Sequence, residues 1–398
     1  MKARLYCLKT LQRVFQEGAY ASILLRHADV DKKDIDFVSE IVYGTIRNYQ
    51  LLEFQWRKYA NATNQKNSLL LDMTIYQMFF MDSVPDYAAI HEAVELAKES
   101  DKSFINAILR KVQAEGLQSS NDLSIQYSHP KWMIDLWNAH YGEEITQKIL
   151  EENQKPSRVY GRINTLKCKK EDFDASFHFL NDICFISENN IVKMKEFKEG
   201  KIVIQDYHAQ MVVDALDVKE DMNVLDLCAA PGTKTQQIAM YMNNKGHIIA
   251  GDYLENRLEL VNSLMDRCGV EIVETILNDA TINHFEEESF DRILMDVPCS
   301  GMGDLSHKPE IRYSLKPEDI DNLIAIQEKI LDANASALKK GGILVYSTCT
   351  LNKKENEKQV EKFLKKNSQF ELLEEKTLFP FDDHSDGFYY AKLKRKQS

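Results

Sequence analysis

The spacing of apolar residues changes between the first third of the chain and the rest. In the first third, apolar side chains recur every three or four positions, as at Leu5, Leu8 and Leu11, which is the period of an amphipathic helix. Few glycines or prolines interrupt this pattern, and Pro130 stands where proline commonly opens a helix. The pattern predicts an all-helical domain over residues 1–141.

After about residue 211, short apolar runs alternate with helical stretches. The runs have the length and apolar character of buried strands, and they cover residues 223–227, 247–250, 272–277, 290–295 and 342–346. The stretches between them have helical spacing, and the longest begins at Pro317. Strands that alternate with helices predict an α/β fold with a doubly wound, mostly parallel sheet, here over residues 205–398.

Residues 142–204 lie between these two regions and have a mixed pattern, with short strands predicted at 157–166 and 201–204. Between Lys155 and Lys201 the chain carries ten Lys or Arg residues against seven Asp or Glu residues, whereas the whole chain has a net charge of −12. We expect a small connecting subdomain whose local positive balance suits a nucleic-acid backbone. Ordinary solvent-facing charge explains the same count, and that alternative stays open.

Composition favours a soluble globular protein. The chain has 398 residues, 44% of them hydrophobic, and no apolar run long enough to span a bilayer. Residues 1–4 show no signal-peptide pattern, so we expect a cytoplasmic protein that does not bind membranes. The chain shows no long apolar surface motif, and we therefore expect a monomer. The seven cysteines are scattered and form no Cys-x-x-Cys, which argues against a disulfide framework and against a metal site. Four of them are predicted to be small buried hydrophobes: Cys7, Cys168, Cys184 and Cys268.

Two other cysteines stand in settings that favour chemistry. Cys299 lies in the segment 296–301, directly after the fourth predicted strand, and Cys349 lies in the segment 347–350, directly after the fifth. Open α/β sheets place their chemistry at such strand ends, and a thiolate is a strong nucleophile. The pair suggests covalent chemistry. The alternative is two core cysteines on adjacent strands.

A loop of small residues follows the first predicted strand and lets a ligand approach the backbone closely. The loop consists of Cys228, Ala229, Ala230, Pro231, Gly232, Thr233 and Lys234. Later strands end at Asp252, about 20 residues after the loop, at Asp279 and at Asp296. We expect Asp252 to accept hydrogen bonds from ribose hydroxyls and Asp279 from an adenine amino group. A single Asp at a strand end more often forms a turn, but three in register with this loop indicate a nucleoside site.

These segments together closely resemble the S-adenosylmethionine-dependent RNA 5-methylcytosine methyltransferases. The resemblance rests on residues 227–234, Asp252, Asp279, 296–303 and 347–350. It continues through residues 162–164, 205–206, 308–313, 355–356 and 386–393. In the helical third, residues 89–97 and 104–110 resemble a NusB-like RNA-binding domain, and this order of domains resembles the bacterial RsmB (Sun/Fmu) type.

The resemblance implies an all-α NusB-like domain followed by a doubly wound, Rossmann-like class I methyltransferase sheet. It implies that S-adenosylmethionine binds residues 228–234 together with the aspartates at the strand ends, Asp252, Asp279 and Asp296. The implied substrate is a specific cytosine of 16S, small-subunit ribosomal RNA, presented outside a base stack.

The resemblance also implies a role for each thiol. Cys349 is expected to add to carbon 6 of the cytosine, Cys299 to assist product release, and Asp296 to hydrogen-bond the base. Lys234, by its position alone, is expected to lower the pKa of a nearby thiol. Cys228 is expected to line the cofactor site with its backbone.

Two departures from the family pattern and two alternatives accompany this interpretation. Thr233 stands where many relatives have a second glycine. Ser306 and His307 stand where relatives usually have basic residues, and this second departure weakens the expected contact with RNA phosphate.

One alternative is the same chemistry on transfer RNA or 23S ribosomal RNA. The other is a non-catalytic, NusB-like RNA-binding assembly or antitermination factor, against which the intact cysteines and carboxylates argue.

Overall fold

The computed structural model describes residues 2–60, 63–187 and 189–397. The chain folds into two compact units. The first holds Met1–Pro156 together with Leu305–Leu315, and the second holds Ser157–Asp304 together with Lys316–Ser398. In the described part of the chain, no helix combines the length and the apolar character that a membrane span requires.

The first unit is helical, as the spacing of apolar residues predicts. Its helices before residue 157 are α1 (Ala3–Glu17), α2 (Ala21–Arg26), α3 (Ile35–Arg47), α4 (Tyr49–Arg57), α5 (Gln65–Phe80), α6 (Asp86–Leu96), α7 (Lys102–Glu115), α8 (Leu123–Gln126), α9 (Lys131–Tyr141) and α10 (Glu143–Asn153). Helices α1 to α7 share one core, which includes Leu11, Ile41, Trp56, Leu70 and Leu109. Pro130 directly precedes α9, as predicted.

The helical region extends beyond residue 141. Gly142, with a φ of +82°, separates α9 from α10, and α10 buries Ile149 and Leu150. Residues 143–153 lie in the range that the mixed pattern assigned to the connecting subdomain. A helix of 11 residues with a single narrow buried stripe and many charges carries a weak periodic signal.

The second unit contains a small antiparallel sheet. Its strands are β1 (Tyr160–Ile163), β2 (Phe177–Phe179), β3 (Cys184–Ser187) and β4 (Ile202–Ile204), with α11 (Lys195–Lys198) before β4. The strand order is β2-β3-β1-β4, and the core holds Ile163, Phe185 and Ile202. The sequence predicts β1 and β4, whereas β2 and β3 were not predicted.

The second unit also contains the predicted doubly wound sheet. The remaining elements are α12 (Tyr207–Leu216), β5 (Asn223–Asp226), α13 (Thr233–Tyr241), β6 (His247–Asp252), α14 (Glu255–Cys268), β7 (Val273–Leu277), β8 (Phe290–Asp296), α15 (Ile311–Ser314, in the first unit), α16 (Pro317–Asn334), β9 (Leu338–Thr348), α17 (Glu357–Lys366), β10 (Phe370–Leu378), α18 (Pro380–Asp383) and β11 (Phe388–Arg395). The strand order among the described residues is β10-β11-β9-β8-β5-β6-β7. Strands β5 to β9 are parallel, whereas β10 and β11 join antiparallel and were not predicted.

A buried arginine joins the small sheet to helix α13. Arg162, on β1, donates from Nε to Gln205 Oε1 at 2.7 Å and from Nη2 to Gln236 Oε1 at 2.5 Å. The same Nη2 lies 3.3 Å from the carbonyl oxygen of Thr233, the first residue of α13. Burial lowers the pKa of Arg162 to about 10. The side chain thus fixes the start of α13, which carries the end of the small-residue loop.

Residues 305–315 complete the first unit. Arg312, on α15, is fully buried and donates from Nη1 to the carbonyl oxygen of Arg47 at 2.9 Å and from Nη2 to that of Asn153 at 2.7 Å. These are the last residues of α3 and α10, whose final carbonyls have no partner within the helix. The Tyr313 hydroxyl donates to the Ile46 carbonyl at 3.0 Å. A segment far along the sequence therefore caps two helices of the N-terminal unit.

Candidate active site

The carboxyl ends of the parallel strands meet along one edge of the large sheet. Strands β5, β6 and β8 each end there in an aspartate, namely Asp226, Asp252 and Asp296. Strand β8 pairs with β9 so that Asp296 lies opposite Ser347. Crevices at this edge are where open α/β sheets bind ligands.

Cys299 and Cys349 lie side by side at this edge. Their Sγ atoms are 3.3 Å apart, and both side chains are partly exposed. The backbone joins their loops, because the Val297 N–H donates to the Ser347 carbonyl at 3.0 Å and the Gly303 N–H donates to the Cys349 carbonyl at 3.0 Å. The adjacency of β8 and β9 thus brings together two thiols that are 50 residues apart in sequence.

Cys299 stands in a setting that disfavours its thiolate. The hydrogen bond with Cys349, burial and the negative charge of Glu355 together raise the pKa of Cys299 well above its ordinary value. Cys299 therefore keeps its proton at neutral pH. A protonated thiol at this position can donate a hydrogen bond to a thiolate at Cys349.

A fully buried carboxylate lies behind both thiol loops. Glu355 Oε1 accepts from the Ser300 N–H at 2.9 Å and from Gln327 Nε2 at 3.0 Å. Its Oε2 accepts from the Ser300 hydroxyl at 2.6 Å and from Asn352 Nδ2 at 2.9 Å. The Ser300 hydroxyl also lies 2.7 Å from Thr350 Oγ1. Ser300 and Thr350 directly follow the two cysteines, so one carboxylate connects both loops.

Sequence reasoning did not single out Glu355. It appeared only as part of the family resemblance, within a segment rich in charges that includes Lys353, Lys354, Glu357 and Lys358. Such a run normally indicates a solvated surface. The available signal was its closeness in sequence to the segment 347–350, because residues just after a strand end can fold back over it.

Asp296 is held by a cation and a hydroxyl. Lys234 Nζ lies 2.6 Å from Asp296 Oδ2, and the Ser347 hydroxyl donates to Oδ1 at 2.8 Å. Burial opposes the charge of Lys234, but the nearby anionic groups, Asp296 first among them, outweigh it and raise the pKa of Lys234. The ammonium group also lies 5.2 Å from the centre of the Phe388 ring. Lys234 thus stays charged and brings the small-residue loop against the thiol edge.

The small-residue loop forms a tight turn against the end of β6. The Ala229 N–H donates to the Gly251 carbonyl at 2.8 Å, and the Ala230 N–H donates to Asp252 Oδ2 at 3.2 Å. Gly232 has a φ of +100°, and a Cβ there would lie 3.1 Å from the Val261 Cα, so glycine is required. Cys228 and Pro231 complete the turn between β5 and α13, and Cys228 is partly exposed.

Asp252 has a partner that the sequence did not reveal. Arg257, on α14, places Nη1 3.4 Å from Asp252 Oδ1 and donates from Nη2 to the Ala230 carbonyl at 2.9 Å. The guanidinium group therefore joins the loop to the carboxylate that is predicted to bind ribose. The two residues are five positions apart, and Asp252 ends β6 before α14 begins at Glu255, so the i,i+3 and i,i+4 spacing of a helix gave no signal for this pair.

Asp279 and Asn278 follow β7. The Asp279 carboxylate forms a turn, because its Oδ1 accepts from the Thr281 N–H at 2.9 Å and from the Thr281 hydroxyl at 2.6 Å. These bonds lower the pKa of Asp279, so it is charged at neutral pH. Asn278 is buried, and neither atom of its amide has a partner among the described residues. Unsatisfied buried amides are rare and point to a missing ligand or water.

Asp226 is a further carboxylate that sequence reasoning did not single out. It is buried at the end of β5, and its Oδ2 accepts from the Thr235 hydroxyl at 2.7 Å. Its Oδ1 has no partner among the described residues. Burial raises the pKa of Asp226 to about 7. An aspartate inside a buried strand usually marks a ligand or an ion pair, and this was the available signal.

The remaining cysteines behave as predicted. Cys7, Cys168, Cys184 and Cys268 are buried and unpaired. Burial raises the pKa of each of them, and for Cys168 it does so to about 11. These thiols are therefore poor nucleophiles and serve as core residues.

With this geometry established, the comparisons with known proteins identify the family. A family model described as 16S rRNA methyltransferase RsmB/F matches residues 213–394. A curated relative, the probable ribosomal RNA small subunit methyltransferase B of Bacillus subtilis (strain 168), is 33% identical, and the match covers 98% of each chain. The chain belongs to the ribosomal RNA small subunit methyltransferase B family. Its resemblance to the RsmB type, predicted from the sequence, is confirmed.

Other comparisons place the family's parts on this chain. The NusB family model matches residues 1–114, and a model for the ferredoxin-like domain of RsmF/B-like methyltransferases matches 129–178. The crystal structure of PH0851 has a TM-score of 0.82 with this chain at 24% identity, covering 98% of this chain and 97% of that one. A methyltransferase homolog protein from Pyrococcus horikoshii has a TM-score of 0.60 at 29% identity, covering 69% and 98%. The predicted fold, a NusB-like helical region followed by a Rossmann-like methyltransferase sheet, is confirmed.

Proposed function

We propose that this methyltransferase transfers a methyl group from S-adenosylmethionine to carbon 5 of a specific cytosine in 16S ribosomal RNA, through a covalent bond between Cys349 and the base. The observation that carries this proposal is the pair of thiols 3.3 Å apart at the ends of β8 and β9. The two thiols have different roles, because Cys299 keeps its proton and leaves Cys349 as the nucleophile.

Cys349 acts as the nucleophile. Its thiolate adds to carbon 6 of cytosine, which breaks the conjugation of the ring and makes carbon 5 electron-rich. The S–H of Cys299 can donate a hydrogen bond to the Cys349 sulfur, and the ammonium group of Lys234 interacts with the same thiol. After methylation, a base removes the proton from carbon 5, the electron pair of that C–H bond restores the double bond between carbons 5 and 6, and the electron pair of the carbon–sulfur bond returns to the Cys349 sulfur. Cys299 assists this release step.

Asp296 binds the cytosine ring. Its two oxygens are oriented by Lys234 and Ser347, and each keeps room for another hydrogen bond. The carboxylate accepts from the exocyclic amine and from the protonated ring nitrogen as charge develops on the base. Because Asp296 is held on both sides, this stabilisation needs no reorganisation during the reaction.

The edge of the sheet fits S-adenosylmethionine. When bound, this cofactor supplies the electrophilic methyl group. Asp252 binds the ribose hydroxyls and Asp279 the adenine amino group, while residues 228–234 and Asp296 line the remainder. The fit is supported by the buried groups without partners at this edge, the Oδ1 of Asp226 and the amide of Asn278.

The other parts of the chain bind RNA in this proposal. The helical domain, predicted at 1–141, matches the NusB family model, and the connecting subdomain, predicted at 142–204, carries the local positive balance. The choice of 16S ribosomal RNA is supported by the curated relative, whose name assigns it to the small subunit. Residues 205–398 are the methyltransferase domain.

The test is covalent capture of RNA. The Cys299→Ala variant, incubated with unmethylated 16S ribosomal RNA and S-adenosylmethionine, is expected to accumulate a protein–RNA adduct that survives denaturation. The Cys349→Ala variant is expected to form none. An adduct in the second variant but not in the first would reverse the roles of the two thiols.

The choice of RNA is tested in the same assay. Transfer RNA and 23S ribosomal RNA serve as the competing substrates, and an adduct with only one of them would replace the 16S assignment. Absence of an adduct with every RNA, despite measurable binding of S-adenosylmethionine, would favour a non-catalytic RNA-binding protein.

A further inference from the structure

We propose that Glu355 and Asn356 are the positioning residues of the thiol pair: together they fix the loops of Cys299 and Cys349 at one separation, with the Glu355 carboxylate on the Cys299 side of the pair. The roles of the two thiols in this inference rest on the proposed function. The contacts that carry it are independent of that function.

The first contact set surrounds Cys299. Glu355 accepts from both the N–H and the hydroxyl of Ser300, the residue after Cys299. Gln327 donates from Nε2 to Glu355 Oε1 and also to the carbonyl oxygen of Pro298, the residue before Cys299, each at 3.0 Å. Cys299 is thereby held from both sides of its backbone.

The second contact set surrounds Cys349 in the same way. The Thr348 hydroxyl donates to Asn356 Oδ1 at 2.6 Å, and Asn356 Nδ2 donates to the Thr350 carbonyl at 2.9 Å. Thr348 and Thr350 flank Cys349. Two consecutive residues, Glu355 and Asn356, therefore hold the flanks of the two thiols, and a shift of either loop breaks hydrogen bonds in a fully buried network.

Glu355 accepts four hydrogen bonds among the described residues. Its four donors, from Ser300, Gln327 and Asn352, are all neutral. A buried anion close to a thiol disfavours a second anion there. Other titratable groups that interact with the pair include the Tyr346 hydroxyl on β9, which interacts with Cys299, and the Lys234 ammonium group on α13, which interacts with Cys349.

These charges act in opposite directions on the two sulfurs. Glu355 disfavours the thiolate of Cys299, whereas Lys234 is a cation that interacts with Cys349. Glu355 therefore acts through the thiols and their loops.

The test measures alkylation of each cysteine by iodoacetamide across pH, resolved by mass spectrometry, on the full-length protein without RNA or cofactor. In the Glu355→Gln variant, the pH midpoint for Cys299 is expected to fall by about one unit or more, since a neighbouring charge typically shifts a pKa by 1–3 units. Glu357→Gln is the matched control. Glu357 is two residues away and lies near Thr377, so its variant is expected to leave the midpoint unchanged.

A second readout is methyl transfer. Glu355→Gln and Asn356→Ala are each expected to lower turnover at least tenfold while binding of S-adenosylmethionine stays as in the wild type, because neither residue contacts the cofactor carboxylates. Ser300→Ala, which removes one donor and the bridge to Thr350, is expected to act in the same direction and replaces Glu355→Gln if that variant does not fold.

An unchanged alkylation midpoint for Cys299, or an equal shift in Glu357→Gln, would overturn the inference. The outcome is separable from that of the proposed function. A shifted midpoint in a protein that methylates no RNA would retain the positioning of the thiols and reject the reaction. Methylation of RNA by the wild type, together with an unshifted alkylation midpoint for Cys299 in Glu355→Gln, would retain the reaction and reject the positioning role of Glu355.

Discussion

The ammonium nitrogen of Lys234 lies 2.6 Å from Oδ2 of Asp296. Lys234 ends the small-residue loop and Asp296 ends β8, so this ion pair joins the predicted cofactor site to the thiol edge. Both side chains are largely shielded from solvent, with exposures of 14% and 23%. A shielded pair is costly to break, because the remaining charge loses both its solvent and its partner.

We expect Lys234→Met to lower methyl transfer at least tenfold and to move the rising limb of the pH–rate profile to higher pH. The reason is that a cation close to Cys349 favours its thiolate, and without that cation a higher pH is needed to form it. Lys339→Met is the control, since Lys339 pairs with Asp291 at 3.0 Å at the opposite end of β8. A pH–rate profile that is unchanged in Lys234→Met would remove this role.

We expect Asp252→Asn to weaken binding of S-adenosylmethionine by about ten- to a hundredfold. Loss of charged hydrogen bonds costs about 1.5–3 kcal/mol, and each 1.4 kcal/mol corresponds to about a factor of ten. Arg257→Ala is expected to weaken binding less, because Arg257 orients Asp252 and the Ala230 carbonyl from outside the crevice. Isothermal titration calorimetry measures both. Equal affinity in Asp252→Asn and wild type would place the ribose elsewhere.

The sequence predicts the features that local pattern determines. The parallel strands are recognisable in the sequence as short apolar runs. The topology of the sheet then places the residues at the ends of these strands along one edge, namely Asp252, Asp296, Cys299 and Cys349. Strand β10 was missed because it is an edge strand whose middle is exposed, with charged residues that do not alternate with apolar ones. This strand forms because it pairs with β11 along its whole length, and that pairing depends on another segment of the chain.

Residues whose roles depend on distant partners could not be predicted in the same way. Arg312 caps α10 across 159 residues of sequence, and Glu355 binds Ser300 across 55. In sequence, both stand in polar segments that resemble solvent-exposed loops. Burial of a charge is visible only when the chain segments that surround it are known.

We expect Arg312→Ala to destabilise the helical unit by about 3 kcal/mol, since buried carbonyls at the ends of α3 and α10 lose charged donors worth about 1.5–3 kcal/mol each. Urea unfolding followed by circular dichroism measures the change. Arg110→Ala is the control, because Arg110 is exposed on α7 and contacts only Gln113 among the described hydrogen bonds. Equal free energies of unfolding in Arg312→Ala and Arg110→Ala would contradict the capping role.

Asp226 gives a prediction about pH. Its pKa is raised from 3.8 to about 7 by burial, so between these values the folded protein holds a proton that the unfolded chain has released. The favourable contribution to stability is therefore fully present below about pH 4 and is lost as the pH rises through about 7. The loss amounts to at most about 4 kcal/mol, because one pKa unit corresponds to about 1.4 kcal/mol.

We expect Asp226→Asn to abolish this component of the pH dependence, because an amide does not titrate and its oxygen can still accept from the Thr235 hydroxyl. Free energies of unfolding measured from pH 4.5 to 8 are expected to fall less steeply in the variant than in the wild type. Asp266→Asn, at an exposed position on α14, is the control and is expected to follow the wild type. Parallel curves for Asp226→Asn and wild type would mean that Asp226 is charged throughout this range. In that case a ligand or water, and not a proton, satisfies its buried oxygen.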